Sequence, residues 1–216
     1  MALCILLTFL TGCKKNATGE EAVIESLFEP TVMITAGEYR ATGVIIDVSE
    51  ELISIATVAH LMEGFDQGII TFYQEKVGFA DVSYINTDED ICIMTIETKN
   101  FDKRFVSKLR AATIDLEHYD ALSRDDTVYV CGSQVKVAGN VCKGTFKEKD
   151  YYVPEFDQYL MYLYCDVFEG MSGSGCYDID GVLVGLVCAG TDDGEALCIP
   201  ISDIYEKWRI EINDKD

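Results

Sequence analysis

Short runs of β-branched and aromatic residues, punctuated by turn formers, recur along most of the chain, and that rhythm constrains the fold most. They are 31–35 (TVMIT), 39–46 (YRATGVII), 52–57 (LISIAT), 69–73 (IITFY), 77–85, 91–96 (ICIMTI), 127–131 (TVYVC), 134–142, 158–165 (QYLMYLYC), 182–188 (VLVGLVC) and 196–199. Many short strands with turns between them predict an all-β barrel or sandwich. A polar, charged interval from Glu97 to about Asp126 is the natural seam between two β units of similar size. One helix is expected, at the end, where Ser202 can cap a run carrying Ile204, Tyr205 and Trp208 on related faces.

The chain has 216 residues, enough for one large or two small cores. Its 38 acidic and 17 basic side chains leave a net charge of −21. Nucleic acid is excluded as a partner on that balance, because phosphates need Lys and Arg to release their counterions. Negative charge serves solubility and is compatible with attracting cationic peptides.

The amino terminus reads MALCILLTFLTGCKKNATGE. Ala2 to Leu10 is too short to cross a bilayer as a helix and suits the apolar region of a secretory signal. Leu10-Thr11-Gly12-Cys13 resembles the lipobox of bacterial lipoproteins, although no Lys or Arg precedes the apolar run. That resemblance implies a signal peptide over 1–12, lipidation of Cys13 and a polar tether over 13–26. It places a folded domain, 27–216, at the extracytoplasmic surface of a membrane. Seven cysteines then remain (Cys92, Cys131, Cys142, Cys165, Cys176, Cys188 and Cys198), an odd number without any CxxC. They read as small buried hydrophobes rather than zinc ligands, so no metal is expected, and Cys131–Cys142 stays open as one bridge.

The chemistry-bearing stretch is FEGMSGSGCYDIDG, 168–181. A serine hydroxyl is a weak nucleophile and needs a base within hydrogen-bond reach and donors for the oxyanion. Glycines around Ser172 permit a tight backbone path that can aim amide N–H groups inward. Of the two histidines, His60 closes the apolar run ISIATVAH, a rigid place for a base. His118, in DLEHYD, reads as a solvated surface residue. Asp90 abuts the run 91–96, so its carboxylate can be partly buried and directed at an imidazole. Asp88 and Glu89 read as a solvated charge cluster. An α/β-hydrolase needs its histidine after the serine and glycine where Ser174 stands, so that fold is excluded.

TVAH at 57–60, DICIM at 90–94 and GMSGSG at 170–175 resemble the three signatures of the trypsin/chymotrypsin-like serine peptidases. They occur in that family's order with spacings of 30 and 82 residues. The similarity is closest to the compact bacterial branch, the glutamyl endopeptidases and HtrA protease domains, and covers roughly 30–208. It implies two six-stranded antiparallel β-barrels, about 27–110 and 111–216, with a short C-terminal helix. It further implies a serine endopeptidase that uses no cofactor, with His60 as base, Asp90 orienting it and Ser172 as nucleophile. The N–H groups of Gly170 and Ser172 would form the oxyanion hole. Serine at position 172 excludes a cysteine-nucleophile version of the fold. Met171 replaces the aspartate that pairs with a freshly cut amino terminus, so activation by that ion pair is not expected. Cys188-Ala189-Gly190 would pair with substrate backbone, and Asp166, six residues before the nucleophile, would sit where trypsin selects Lys or Arg. Asp192, Asp193 and Glu195 would add negative potential near that pocket. The expected partners are protein or peptide substrates and the membrane, with the chain itself a monomer and no further module after the terminal helix. A non-catalytic protease-like binding module and an esterase with the same triad are the alternatives.

Overall fold

The computed structural model describes residues 19–133, 141–191 and 193–213. The signal region, Cys13, residues 134–140 of the strand expected over 134–142 and Asp192 lie outside the described residues, and Val141 and Cys142 open β9. The elements run α1 (Glu20–Leu27), β1 (Thr31–Ala36), β2 (Tyr39–Val48), β3 (Leu52–Val58), β4 (Gln67–Phe72), β5 (Val77–Asn86) and β6 (Ile91–Glu97). They continue with α2 (Lys103–Val106), β7 (Thr113–Ile114), α3 (Leu116–Ala121), β8 (Thr127–Cys131), β9 (Val141–Val153) and β10 (Gln158–Tyr164). The chain ends with β11 (Gly175–Tyr177), β12 (Val182–Gly190), β13 (Glu195–Pro200) and α4 (Ile201–Asn213).

The first six strands close in the order β1-β2-β3-β6-β5-β4. The second set runs β11-β8-β9-β10-β13-β12, closes through β11–β12, and carries β7 as a parallel addition to β12. The fold is therefore all-β, with two closed six-stranded antiparallel barrels and a short C-terminal helix, as the motif resemblance implies.

The apolar runs are continuous because β2, β3 and β6 are buried on both faces. In β6, Cys92, Met94 and Ile96 fill the first barrel, while Ile91 and Ile93 join the core shared with the second barrel. In β3, Ile53 and Ile55 face the first barrel's interior, and Ala56 and Val58 face the neighbour. Strand alternation thus makes one ribbon serve two cores.

Four local readings change. Residues 20–26 of the stretch read as tether form α1 together with Leu27. Its Leu27 is 1% exposed, and Glu20 accepts hydrogen bonds from the Tyr129 hydroxyl and Lys143 Nζ at 2.7 and 2.8 Å. The helix docks on the second barrel because Val23, Ile24 and Leu27 share one face at three- and four-residue spacing. Ser202 is not a cap: β13 runs through Pro200 directly into α4, which leaves Ser202 within the first turn. The charged stretch 143–153 is strand, with Gly144 and Phe146 facing inward while Lys143 and Glu148 face water. All seven described cysteines are free, and Cys131–Cys142 does not form. Cys142 stands opposite Val130 and Cys131 opposite Val141, so the two side chains point to opposite faces of the β8–β9 ladder.

Leu27→Ala is expected to lower the unfolding free energy by about 3 kcal/mol in urea denaturation. A change below about 0.5 kcal/mol, as for an exposed surface site, would show that α1 is loosely held.

Candidate active site

The β3–β6 ladder brings the first two candidate residues together. Thr57 pairs with Cys92 and Val58 with Ile91, and the next step outward is Ala59 N–H donating to the Asp90 carbonyl at 3.0 Å. His60 is the following residue. Its backbone N–H donates to Asp90 Oδ1 at 2.8 Å, and its ring Nδ1 lies 2.8 Å from Oδ2. The carboxylate thus grips the histidine by main chain and ring together. The Asp90 side chain is 17% exposed and that of His60 is 44% exposed, so the ring reaches solvent while its partner is shielded.

The serine segment belongs to the second barrel but is fastened to the first. Met171 N–H donates to the Phe168 carbonyl at 3.0 Å, and Gly170, third in that four-residue turn, has φ 89°. This is the type II pattern, which glycine adopts without strain at that position. Neither the Gly170 N–H nor the Ser172 N–H has an acceptor among the described residues. Ser172 then offers its carbonyl to the Thr42 N–H at 2.9 Å, across the seam. Gly173, at φ 82°, packs so closely that a Cβ there would lodge on the Thr42 carbonyl oxygen and sit 2.6 Å from Thr57 Oγ1. Gly173 N–H donates to Val187 and Val187 N–H to Ser174, which joins the segment to β12.

That pairing stops at Val187. Beyond it Ala189 and Gly190 pair with Leu197 and Ala196 of β13 on one side only. The other edge of Cys188–Gly190 is open, beginning where the Ser172 segment turns away.

Two recesses flank the seam. One, about 400 Å³, is lined by Glu38, Tyr39, Arg40, Leu61, Glu169, Gly170 and Ser172. The other, about 750 Å³, holds His60, Asp90 and Cys188 together with Asp88 and the 155–158 hairpin tip. No hydrogen bond joins Ser172 Oγ to His60 among the described residues. Asp166 is exposed in a third recess with Lys143, Asp193, Gly194 and Glu195, apart from Ser172. The side chain meeting Gly190 is Val167 instead.

Burial together with the Asp90 charge pushes the Cys92 and Cys188 thiols up to about 12, so both stay protonated and unreactive at neutral pH. Met171 is 1% exposed, apolar packing where an ion pair would otherwise stand.

Sequence reasoning missed the supports beneath Ser172. Thr57 Oγ1 donates to the Thr42 carbonyl at 2.7 Å, and Ser133 N–H donates to Thr42 Oγ1 at 3.0 Å. Both threonines are buried, and polar residues inside apolar runs were the available signal. His118 is not simply solvated either: its Nδ1 lies 2.6 Å from Asp178 Oδ2, and that hydrogen bond raises its pKa. With Asp180 these two form a grouping whose donor atoms lie within 4.8 Å of one another. Asp178 Oδ1 is occupied by the N–H groups of Asp180 and Val182, which makes it the brace of its own turn.

The sequence profile of the trypsin-like peptidase domain matches residues 41–186, more than half of the chain and all three candidate motifs. The chain belongs to the trypsin-like peptidases. Among solved structures it is similar to the serine endoprotease from Yersinia pestis, with a TM-score of 0.73 at 15% identity, over 93% of this chain and 69% of that one. At that identity the likeness is one of fold. No curated protein sequence matches. As a trypsin-like peptidase domain, the chain has its serine segment hung between the barrels, and Gly173 is the tightest point of that suspension.

Gly173→Ala is expected to cost about 2 kcal/mol or more in urea denaturation, from positive φ and the clash with Thr42. Ser174→Ala, which removes a buried hydroxyl without a partner among the described residues, should change stability far less. Equal effects would contradict the close approach at Gly173.

Proposed function

We propose that this trypsin-like peptidase is a serine endopeptidase acting through Ser172, His60 and Asp90, anchored outside the cytoplasm by lipid on Cys13. The observation that carries the catalytic reading is the convergence at the seam. A His–Asp pair from the first barrel, a glycine-framed serine from the second and an open strand edge meet there.

In the proposed cycle a peptide adds to the open edge of Cys188–Gly190 as an extra strand. Ser172 Oγ attacks the scissile carbonyl carbon while His60 Nε2 takes the hydroxyl proton. Asp90, already bonded to Nδ1, holds the imidazole in the tautomer that leaves Nε2 free to accept. The carbonyl oxygen becomes an oxyanion facing the unpaired N–H groups of Gly170 and Ser172. The C–N bond then breaks, His60 gives its proton to the departing amine, and an ester on Ser172 remains. Water repeats the sequence: His60 takes its proton, hydroxide adds to the ester carbon, and Ser172 leaves with the proton returned. Every step is neutral in atoms and needs no cofactor.

The lack of a hydrogen bond between Ser172 Oγ and His60 among the described residues is the observation that favours the non-catalytic binding module. A fluorophosphonate probe distinguishes the two. Wild-type chain is expected to be labelled at Ser172, with labelling lost in Ser172→Ala and reduced by about a thousandfold or more in His60→Ala. An unlabelled, well-folded wild type would sink the peptidase mechanism.

The anchor rests on the Ala2–Leu10 apolar run and the Leu10–Cys13 motif. No helix among the described residues is long and apolar enough to cross a membrane. The buried thiols Cys92, Cys131 and Cys165, all raised to about 12 by burial, are unreactive in an oxidising compartment. Cys13→Ser is expected to move the protein from the membrane to the soluble fraction, and unchanged membrane retention would count against lipidation.

A further inference from the structure

The recess of about 750 Å³ beside His60 carries more charge than catalysis uses. Besides His60, Asp90 and Cys188 it is lined by Thr87, Asp88, Glu155, Phe156, Asp157 and Gln158. Asp88 comes from the turn between β5 and β6, and Glu155, Phe156 and Asp157 from the tip of the β9–β10 hairpin. The two barrels therefore each place carboxylates on one cavity. No lysine or arginine lines it, and Asp88, Glu155 and Asp157 have no ion-pair partner among the described residues. The recess lined by Ser172, by contrast, carries Arg40 as well as Glu38 and Glu169.

The hairpin tip is held in place. Phe156 N–H donates to the Val153 carbonyl at 3.1 Å, and Asp157, at φ 52°, accepts from the Tyr152 hydroxyl at 2.7 Å. The Phe156 ring is 45% exposed, although nothing about a surface turn requires an aromatic residue there. Carboxylates around an exposed ring match a side chain with an apolar stem and a cationic end.

We infer that this recess selects substrates with lysine or arginine on the acyl side of the scissile bond, two to four residues before it, through Asp88, Glu155, Asp157 and Phe156. The inference rests on the peptidase reading for the direction of the peptide. A strand paired to Cys188–Gly190 leads away from Ser172 past Cys188, the residue that both the open edge and the recess share. Its second to fourth residues therefore pass the carboxylates. The selectivity is separate from that of Asp166, which opens on another recess.

Binding and turnover test it together. Fluorescent peptides of one sequence, carrying Lys, Ala or Glu at those three positions, are titrated by anisotropy into the Ser172→Ala chain and assayed for kcat/KM with wild type. Lysine is expected to bind about tenfold tighter than alanine, with glutamate weakest, since two or three exposed charge pairs each contribute modestly. The advantage should shrink in high salt. Asp88→Lys with Glu155→Lys should remove or reverse the order, and the milder Glu155→Gln should weaken it. Glu21→Lys with Asp180→Lys makes the same change in net charge far from the recess and should leave the order intact. An order unaffected by the recess variants, or abolished equally by the distant ones, overturns the inference. Cleavage without lysine preference overturns it while leaving the peptidase reading standing. Lysine-selective binding without cleavage or fluorophosphonate labelling supports the recess and sinks the peptidase reading.

Discussion

The hydrogen bond from the Thr42 N–H to the Ser172 carbonyl ties the two barrels together beside the residues of the proposed triad. His60 and Asp90 are fixed by the first barrel alone, through the β3–β6 register. Ser172 belongs to the second barrel, so its position relative to them depends on the packing between barrels. The double-faced burial of β2, β3 and β6 sets that packing, and Thr42 on β2 converts it into the location of the serine backbone. Gly173 is a glycine because any larger residue would push Ser172 off this contact.

The crossing of the chain ends reinforces the seam. α1 precedes the first barrel but packs on the second, through Leu27 and the Glu20 bonds to Tyr129 and Lys143. α4 follows the second barrel and reaches back to the first, where Lys207 Nζ lies 3.0 Å from Glu89. Rotating one barrel against the other would disturb the Leu27 packing at one end and the Lys207–Glu89 pair at the other. Rigidity of this kind is what the proposed base on one barrel and the proposed nucleophile on the other require.

Much of this was legible in the chain. The all-β class follows from the strand rhythm, because two-sided burial writes itself as apolar runs such as ICIMTI, while the pair of six-stranded barrels followed from the motif resemblance. His60, Asp90 and Ser172 stood out because each sits at the end of an apolar run or within a glycine frame. Features whose partners are distant in sequence were not legible. The α1 helix is too short and polar to declare itself, and its burial depends on Tyr129 and Gly181, more than a hundred residues away. Asp88 looked like a solvated cluster because the hairpin that faces it comes from the other barrel. His118 looked like an isolated surface residue because its partner, Asp178, lies sixty positions later. Asp166, placed by counting from Ser172, opens on a recess apart from it, because Val167 rather than its neighbour turns toward Gly190.

The central claim is that residues from two barrels act as one catalytic unit. A double-mutant cycle on kcat/KM for peptide cleavage tests it most directly, comparing wild type, Ser172→Ala, His60→Ala and the double variant on one peptide substrate. The account predicts strong non-additivity, with the double variant no slower than Ser172→Ala, since His60 has nothing to deprotonate once the hydroxyl is gone. Losses that multiply independently would show that His60 and Ser172 work separately, and would contradict it.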